Sequence, residues 1–207
     1  IHDVRLVKRL NDKLDFIEMA RGVCHVGHVP YEDVYFSSRY LEGAILVYLK
    51  NLGVVAPNKP PRIEKLNGDK FAGAYVQQPQ RGKHDWVFDL DITSMYPSVI
   101  MSLNISPETK MGKLKGWDVE EFMKGTKKTY TLMQDDREMG KLTESELKDF
   151  FDKNKVSVSS NGVLYRSDKK GLIPALLEKW FDTRVEYRKL MKKFGDAGDN
   201  EKYTYFK

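Results

Sequence analysis

Two carboxylates, Asp89 and Asp91, interrupt the apolar run Val87–Ile92, and the turn-forming segment Thr93-Ser94-Met95-Tyr96-Pro97-Ser98 follows at once. As a strand, the run places Phe88, Leu90 and Ile92 on one face and both carboxylates on the other. A carboxylate fixed beside a cleft is costly to desolvate unless a cation compensates it, so the pattern points to a divalent metal. Pro97 lacks the amide that a ladder needs, and the chain must leave the strand there. Backbone amides of such a turn can converge into an anion-binding concavity. A metal-binding carboxylate beside those amides suits a triphosphate, with Tyr96 next to its sugar or base. The plainer alternative is a strand end with ordinary capping acids and a buried tyrosine.

A second set of chemistry-bearing residues lies on a helix expected from about Pro174 to Gly195. On a wheel of about 100° per residue, Ile173, Leu176, Leu177, Trp180, Tyr187, Met191 and Phe194 form an apolar stripe. Arg184 falls near the middle of that stripe, and Arg188 sits one turn on, towards its edge. Guanidiniums at i and i+4 project from one side of a helix and can grip a phosphate chain. Otherwise the stem of Arg184 packs while its head escapes to water, or the head pairs with a carboxylate.

The elements that must hold these groups are mixed. A helix is expected from Asp3 to about Arg21, ended by Gly22, and a second, capped by Ser37 or Ser38, to about Lys50. Ala56–Pro61 is the expected linker. Gly73–Val76 and Trp86–Ile92 have the character of neighbouring strands. Thr143-Glu144-Ser145-Glu146 is a capping-box pattern ahead of Leu147, Phe150 and Phe151. Asn161-Gly162 predicts a two-residue hairpin between Val156–Ser159 and Val163–Arg166. These elements predict an α+β architecture.

At 207 residues the chain suffices for one large or two modest domains. Its net charge of +5 is compatible with a polyanionic partner without establishing one. No stretch approaches the length of a membrane span. Cys24 is the only cysteine, which excludes an internal disulfide and fits a reducing, intracellular setting. Cys24, His25 and His28 lack the second ligand pair of a zinc site and are expected to be structural. The first residue is Ile1, so a piece of something longer, or a processed product, is expected.

The pattern Asp91-x-x-Ser94-x-Tyr96-Pro97-Ser98 resembles motif A of the family B DNA polymerases, and Asn104-Ile105-Ser106-Pro107-Glu108-Thr109 resembles its continuation in tailed-phage replicative enzymes. The resemblance implies that Asp91, rather than Asp89, is the catalytic metal ligand and that the Ile92 carbonyl also faces the metal. It further implies that the amides of Ser94, Met95 and Tyr96 cradle a deoxynucleoside triphosphate, and that Tyr96 excludes a ribose 2′-hydroxyl. Gly171-Leu172-Ile173-Pro174 followed by Arg184-x-x-x-Arg188 resembles the first fingers helix, whose basic residues hold the triphosphate. Gly73-Ala74-Tyr75 resembles an element that contacts DNA, and Asp3 the last carboxylate of a 3′–5′ exonuclease site.

By the same resemblance, residues 1–21 end an exonuclease module and 22–61 form the return of the N-terminal domain with its linker. Residues 62–170 make a partial antiparallel palm sheet, and 171–207 begin the fingers. The stretch from about Met111 to Asn154 matches least. The family's Tyr-x-Asp-Thr-Asp hairpin and Lys-x-x-x-Asn-Ser-x-Tyr-Gly helix do not occur in the sequence. The expectation is therefore a fragment or split subunit of a DNA-directed DNA polymerase. Its partners would be primer-template DNA, dNTPs, two Mg²⁺ ions and a C-terminal polypeptide, in the host-cell cytoplasm, and it would be inactive alone. The alternative is a non-catalytic relic that binds nucleic acid or a partner chain.

Overall fold

The computed structural model describes residues 2–58, 74–134 and 137–206. The elements are α1 (His2–Leu14), α2 (Phe16–Gly27), α3 (Ser37–Asn51), α4 (Met95–Ser102), β1 (Lys110–Lys115), α5 (Val119–Lys124), β2 (Thr129–Gln134), β3 (Arg137–Thr143), α6 (Glu144–Asn154), β4 (Val156–Val158), β5 (Val163–Arg166), α7 (Leu172–Asp196) and α8 (Asn200–Phe206). The strands form one antiparallel sheet in the order β3-β2-β1-β5-β4. The expected α+β class is therefore present.

The core forms on one face of this sheet. Register sets Leu114 opposite Leu132, Tyr130 opposite Leu142, and Val158 opposite Leu164. Helix α6 closes over them with Leu147, Phe150 and Phe151, and Trp117 and Phe122 complete the cluster. The Trp117 ring lies 5.0 Å from Phe122 and 5.6 Å from Tyr130 between centroids. Leu114, Leu147 and Leu164 are completely buried, each contributing about 1.5–3 kcal/mol by area. The lysine-rich stretch from about Met111 to Asn154 thus supplies most of the buried core.

Several local expectations hold. Helix α6 starts on the capping box: the Thr143 hydroxyl accepts from the Glu146 amide, and the Glu146 carboxylate accepts from the Thr143 amide. Pro174 lies in the first turn of α7, and α3 covers the expected stretch from Ser37, but Phe36 rather than a serine stands at its N-cap and no side chain caps it.

Other expectations are corrected. The first helix does not run through to Arg21, because Asp15 adopts a left-handed φ of 57° and divides α1 from α2. Asn11 stabilises the break, its side-chain oxygen accepting from the Ile17 amide. Gly22 lies inside α2, and His28, also left-handed, caps the end by donating to Cys24 and His25 carbonyls. The hairpin turn has three residues, not two. The Gly162 amide donates to the Ser159 carbonyl and only Gly162 has positive φ, the pattern of a type I turn closed by a glycine bulge. A Cβ at Gly162 would also lie 2.7 Å from Cβ of Trp117. Helix α7 passes Gly195, and the left-handed residue beyond its end is Gly198.

The largest correction concerns Trp86–Ile92, which is irregular and joins no strand among the described residues. Phe88 and Leu90 are 83% and 89% exposed. An extended segment without a neighbouring ladder leaves its amides and carbonyls to water and buries neither face. Ala74–Val76 is likewise irregular. Gly73, and the linker residues from Asn58 onward except Asn58 itself, lie outside the described residues.

Candidate nucleotide-binding site

The turn after Asp91 is the start of helix α4. Ser94 precedes it with a left-handed φ of 51°, which turns the chain sharply into the helix. The Ser98 amide closes the first turn on the Ser94 carbonyl at 3.0 Å, and the Ser98 hydroxyl donates to the Thr93 carbonyl at 3.1 Å. Pro97 has no amide to lose at this position of the first turn. The Met95 and Tyr96 amides, which a first helical turn leaves without intrahelical acceptors, have no capping side chain. They sit at the positive end of the helix dipole, where an anion is favoured. Asp89, Asp91 and Ile92 precede them on the exposed segment, and Tyr96 is exposed.

Helix α4 packs against α7, and a buried clamp joins the two. Asn104, just past α4 and itself left-handed, donates from Nδ2 to the carbonyls of Arg166 at 2.6 Å and Lys169 at 2.8 Å. Its Oδ1 accepts from the Gly171 amide at 2.8 Å. The first amides of α7 are then capped from a distance: Leu172 donates to the Glu108 carboxylate, and Ile173 to the Ser106 hydroxyl at 3.3 Å. The Ser106 hydroxyl donates in turn to the Glu108 carboxylate at 2.7 Å, and Thr109 donates to the Asn104 carbonyl at 2.6 Å. A Cβ on Gly171 would lie 2.8 Å from Cβ of Ser106, so only glycine fits there.

Electrostatics follow this geometry. Burial pushes the Glu108 carboxyl up, but the Leu172 amide, the Ser106 hydroxyl, its own amide and the nearby Lys169 together hold it below its ordinary value. In the loop that Asn104 grips, the Arg166 guanidinium forks onto Asp168 and holds that carboxyl down at about 2.

The sequence-predicted groups on α7 lie beyond the clamped end. Leu176 is buried, yet exposure grows along the helix; Arg184 and Arg188 are both exposed, and neither has an ion-pair partner among the described residues. The apolar stripe therefore does not enclose Arg184. Arg188 borders a recess with Lys189, Lys192 and Tyr203, where α8 folds back on α7. Asp3 lies exposed in the first turn of α1, and Ala74 and Tyr75 are exposed. Among the described residues no three His, Cys, Asp or Glu side chains come together as a metal site. Asp91 with the Ile92 carbonyl nevertheless supplies hard oxygen donors of the type Mg²⁺ takes, an ion commonly held by one or two carboxylates plus substrate phosphates. The clamp was missed from the sequence as a functional unit, although its residues are those of the Asn104–Thr109 and Gly171–Pro174 words.

Comparison with known proteins supplies the deciding observation: the family model for DNA polymerase family B matches residues 35–205. The chain belongs to DNA polymerase family B. The DNA-directed DNA polymerase of Enterobacteria phage T4 is 26% identical over 191 residues, covering 92% of this chain and 18% of that enzyme. That of Escherichia phage RB69 is 25% identical over the same length and coverage. A DNA polymerase of Archaeoglobus fulgidus is 39% identical over 83 residues, covering 39% of this chain and 10% of the relative. The chain thus spans under a fifth of the length of these family B polymerases. No helix among the described residues is long and apolar enough to cross a membrane.

Proposed function

We propose that this chain is the part of a DNA-directed DNA polymerase that receives the incoming nucleotide, joining dNTPs to a primer 3′-hydroxyl under template direction. The observation that carries the reading is the docking of α4 on α7: the uncapped start of one helix and the arginine pair of the other belong to one clamped unit. In this reading Asp91 and the Ile92 carbonyl hold a divalent ion, Mg²⁺ in a two-ion site, which would neutralise charge on the reacting phosphates. The amides of Ser94, Met95 and Tyr96 receive the triphosphate oxygens, and the Tyr96 ring stands against the sugar. Arg184 and Arg188 stabilise charge developing on the leaving pyrophosphate. Ala74 and Tyr75, with Gly73, contact the template, and Asp3 would belong to an exonuclease site. The 1–21, 22–61, 62–170 and 171–207 divisions, the C-terminal polypeptide that completes the site, and a place in the host cytoplasm belong to the same proposal.

The test is reconstitution. The chain is mixed with a C-terminal portion of a phage relative and assayed for primer extension. Extension is expected only in the mixture, and Asp91→Ala should reduce it roughly a hundredfold or more. Undiminished extension by that variant would remove Asp91 from the site, and extension by the chain alone would show that it needs no partner.

A second reading, a binding element without catalysis, is favoured by one observation. Asp89 and Asp91 lie on an exposed segment and, among the described residues, belong to no cluster of three or more His, Cys, Asp or Glu side chains that could hold a metal. It predicts DNA or partner binding with no extension in any mixture.

A further inference from the structure

The face of the sheet opposite the core has a charge pattern that the nucleotide site does not use. Strand β1 alternates, with Gly112 and Leu114 buried and Lys113 and Lys115 exposed. The register shift between Lys110 and Gly112 rotates Lys110 onto the lysine side, opposite Tyr165. Two strands away, Lys141 pairs with Thr131, which in turn pairs with Lys115, so Lys115, Thr131 and Lys141 form one row across three strands. Lys110, Lys113, Lys115 and Lys141 are thereby on one face and exposed. Glu138, opposite Met133, is the one acid that strand pairing places there among the described residues.

What sets these lysines apart is their shared sheet face, and carboxylates neutralise lysines elsewhere in the chain. Lys124, Lys148, Lys170 and Lys202 each have a carboxylate partner nearby in the chain. The four sheet lysines have none among the described residues. Concentrating cations on one face of a sheet is unfavourable by itself, and a polyanion lying across the face reverses that cost. The row is rigid, because its strands are held from behind by the buried core, and about 7 Å separates Lys113 from Lys115 along the strand.

We infer that this sheet face is a contact surface for the sugar-phosphate backbone of nucleic acid, separate from the nucleotide site. It rests on the polymerase reading for the choice of polyanion. Compact ammonium groups on flexible stems contact phosphate as point charges and read no base sequence.

The experiment measures binding of labelled DNA, duplex and single-stranded, to the full chain across a salt series. The variant Lys113→Gln/Lys115→Gln/Lys141→Gln is compared with Lys124→Gln/Lys148→Gln/Lys202→Gln, which removes the same charge from paired positions. Thermal melts confirm that both fold, as expected for exposed substitutions. The sheet variant should weaken binding about tenfold at low salt and flatten the slope of log Kobs against log salt by about 2–3, whatever the sequence. The paired-lysine variant should do much less. Equal losses in the two variants, or an unchanged slope in the first, would overturn the proposal. So would a chain that binds phosphatidylserine vesicles but no DNA. The comparison of duplex with single strand identifies which form occupies the face. Binding is read without dNTPs or primer extension, so failure of the extension assay and failure of this surface are separately visible.

Discussion

Strand β1 and the segment Trp86–Ile92 invert what their compositions suggest. Lys110-Met111-Gly112-Lys113-Leu114-Lys115 is half lysine, yet it lies in the middle of the sheet between β2 and β5 and buries Leu114 completely. Trp86–Ile92 carries five large apolar side chains, among them Phe88 and Leu90, and exposes all five. The difference is neighbours. β1 finds ladders on both sides and a helix-covered core behind it, whereas the segment before α4 finds no partner among the described residues. Apolar content states what a strand would gain by burial; whether it is buried depends on what reaches it.

The sharpest way to break this comparison is to truncate one side chain from each region. Leu114→Ala should cost about 2–5 kcal/mol in denaturant unfolding, the range for cavities in a packed core. Leu90→Ala should fall within about 0.5 kcal/mol of wild type, because nothing packs on Leu90. Comparable losses would mean that the acidic segment is packed in solution. In the reconstituted mixture, amides 87–92 should become protected from hydrogen exchange while those of β1 are unchanged.

The second prediction concerns the join between α4 and α7. Asn104→Ala would leave the Gly171 amide and two carbonyls unsatisfied in a buried place, and unfolding should be easier by about 2–4 kcal/mol. Arg184→Ala, on the exposed stretch of the same helix, should leave stability within about 0.5 kcal/mol. A mild Asn104→Ala would show that α7 is held by its apolar first turns rather than by the clamp.

What was legible in the sequence follows the same divide between local and distant causes. Thr143 and Glu146 are three residues apart, and their reciprocal cap was readable. So were the extent of α3, though not its cap, and the place of the 156–166 hairpin; the exit from the acidic run comes at Ser94, ahead of the expected Pro97. The clamp was not, because Asn104 meets partners 62 to 67 positions away. The β1–β3 sheet was hidden because each strand offers few apolar residues and draws its burial from α6. The break at Asp15 was masked by an apolar period that continues across it from Leu14 to Ile17. In the candidate site, Asp91, Ser94 and Tyr96 could be named from their word, but the strand expected to carry Asp91 depends on pairing that no local pattern reports.

A pH series sharpens the clamp further. The Glu108 carboxyl is held below its ordinary value, so its stabilising contribution is complete above the unfolded pKa, about 4.3. It is lost as pH falls through the lower folded value. As pH falls below the ordinary carboxylate range, the start of α7 should loosen before the sheet does, read from the NMR shifts of the Leu172 and Ile173 amides. Glu108→Gln keeps an acceptor and removes the titration, so those shifts should become flat across the same window. A transition that persists in that variant would assign the acid response to another group; the Arg166–Asp168 pair, with Asp168 near 2, is the test case.

The smallest effect lies in the core itself. The Tyr130 hydroxyl is buried without a hydrogen-bond partner among the described residues, as is the indole nitrogen of Trp117. An unmade hydrogen bond costs more than an absent group. Tyr130→Phe keeps the ring that stacks near Trp117 and Phe122 and should stabilise the fold by about 1 kcal/mol, raising Tm by about 2–4 °C. Burial, with Glu144 and Glu121 nearby, raises the pKa of the tyrosine above its ordinary value. In wild type the neutral phenol is therefore favoured by folding below pH 10, and that contribution is lost as pH rises through the folded value. The advantage of phenylalanine should then widen in alkali. A variant less stable than wild type at neutral pH would mean that the hydroxyl finds a partner in solution, and the core behind β1 would be polar where the comparison requires it to be dry.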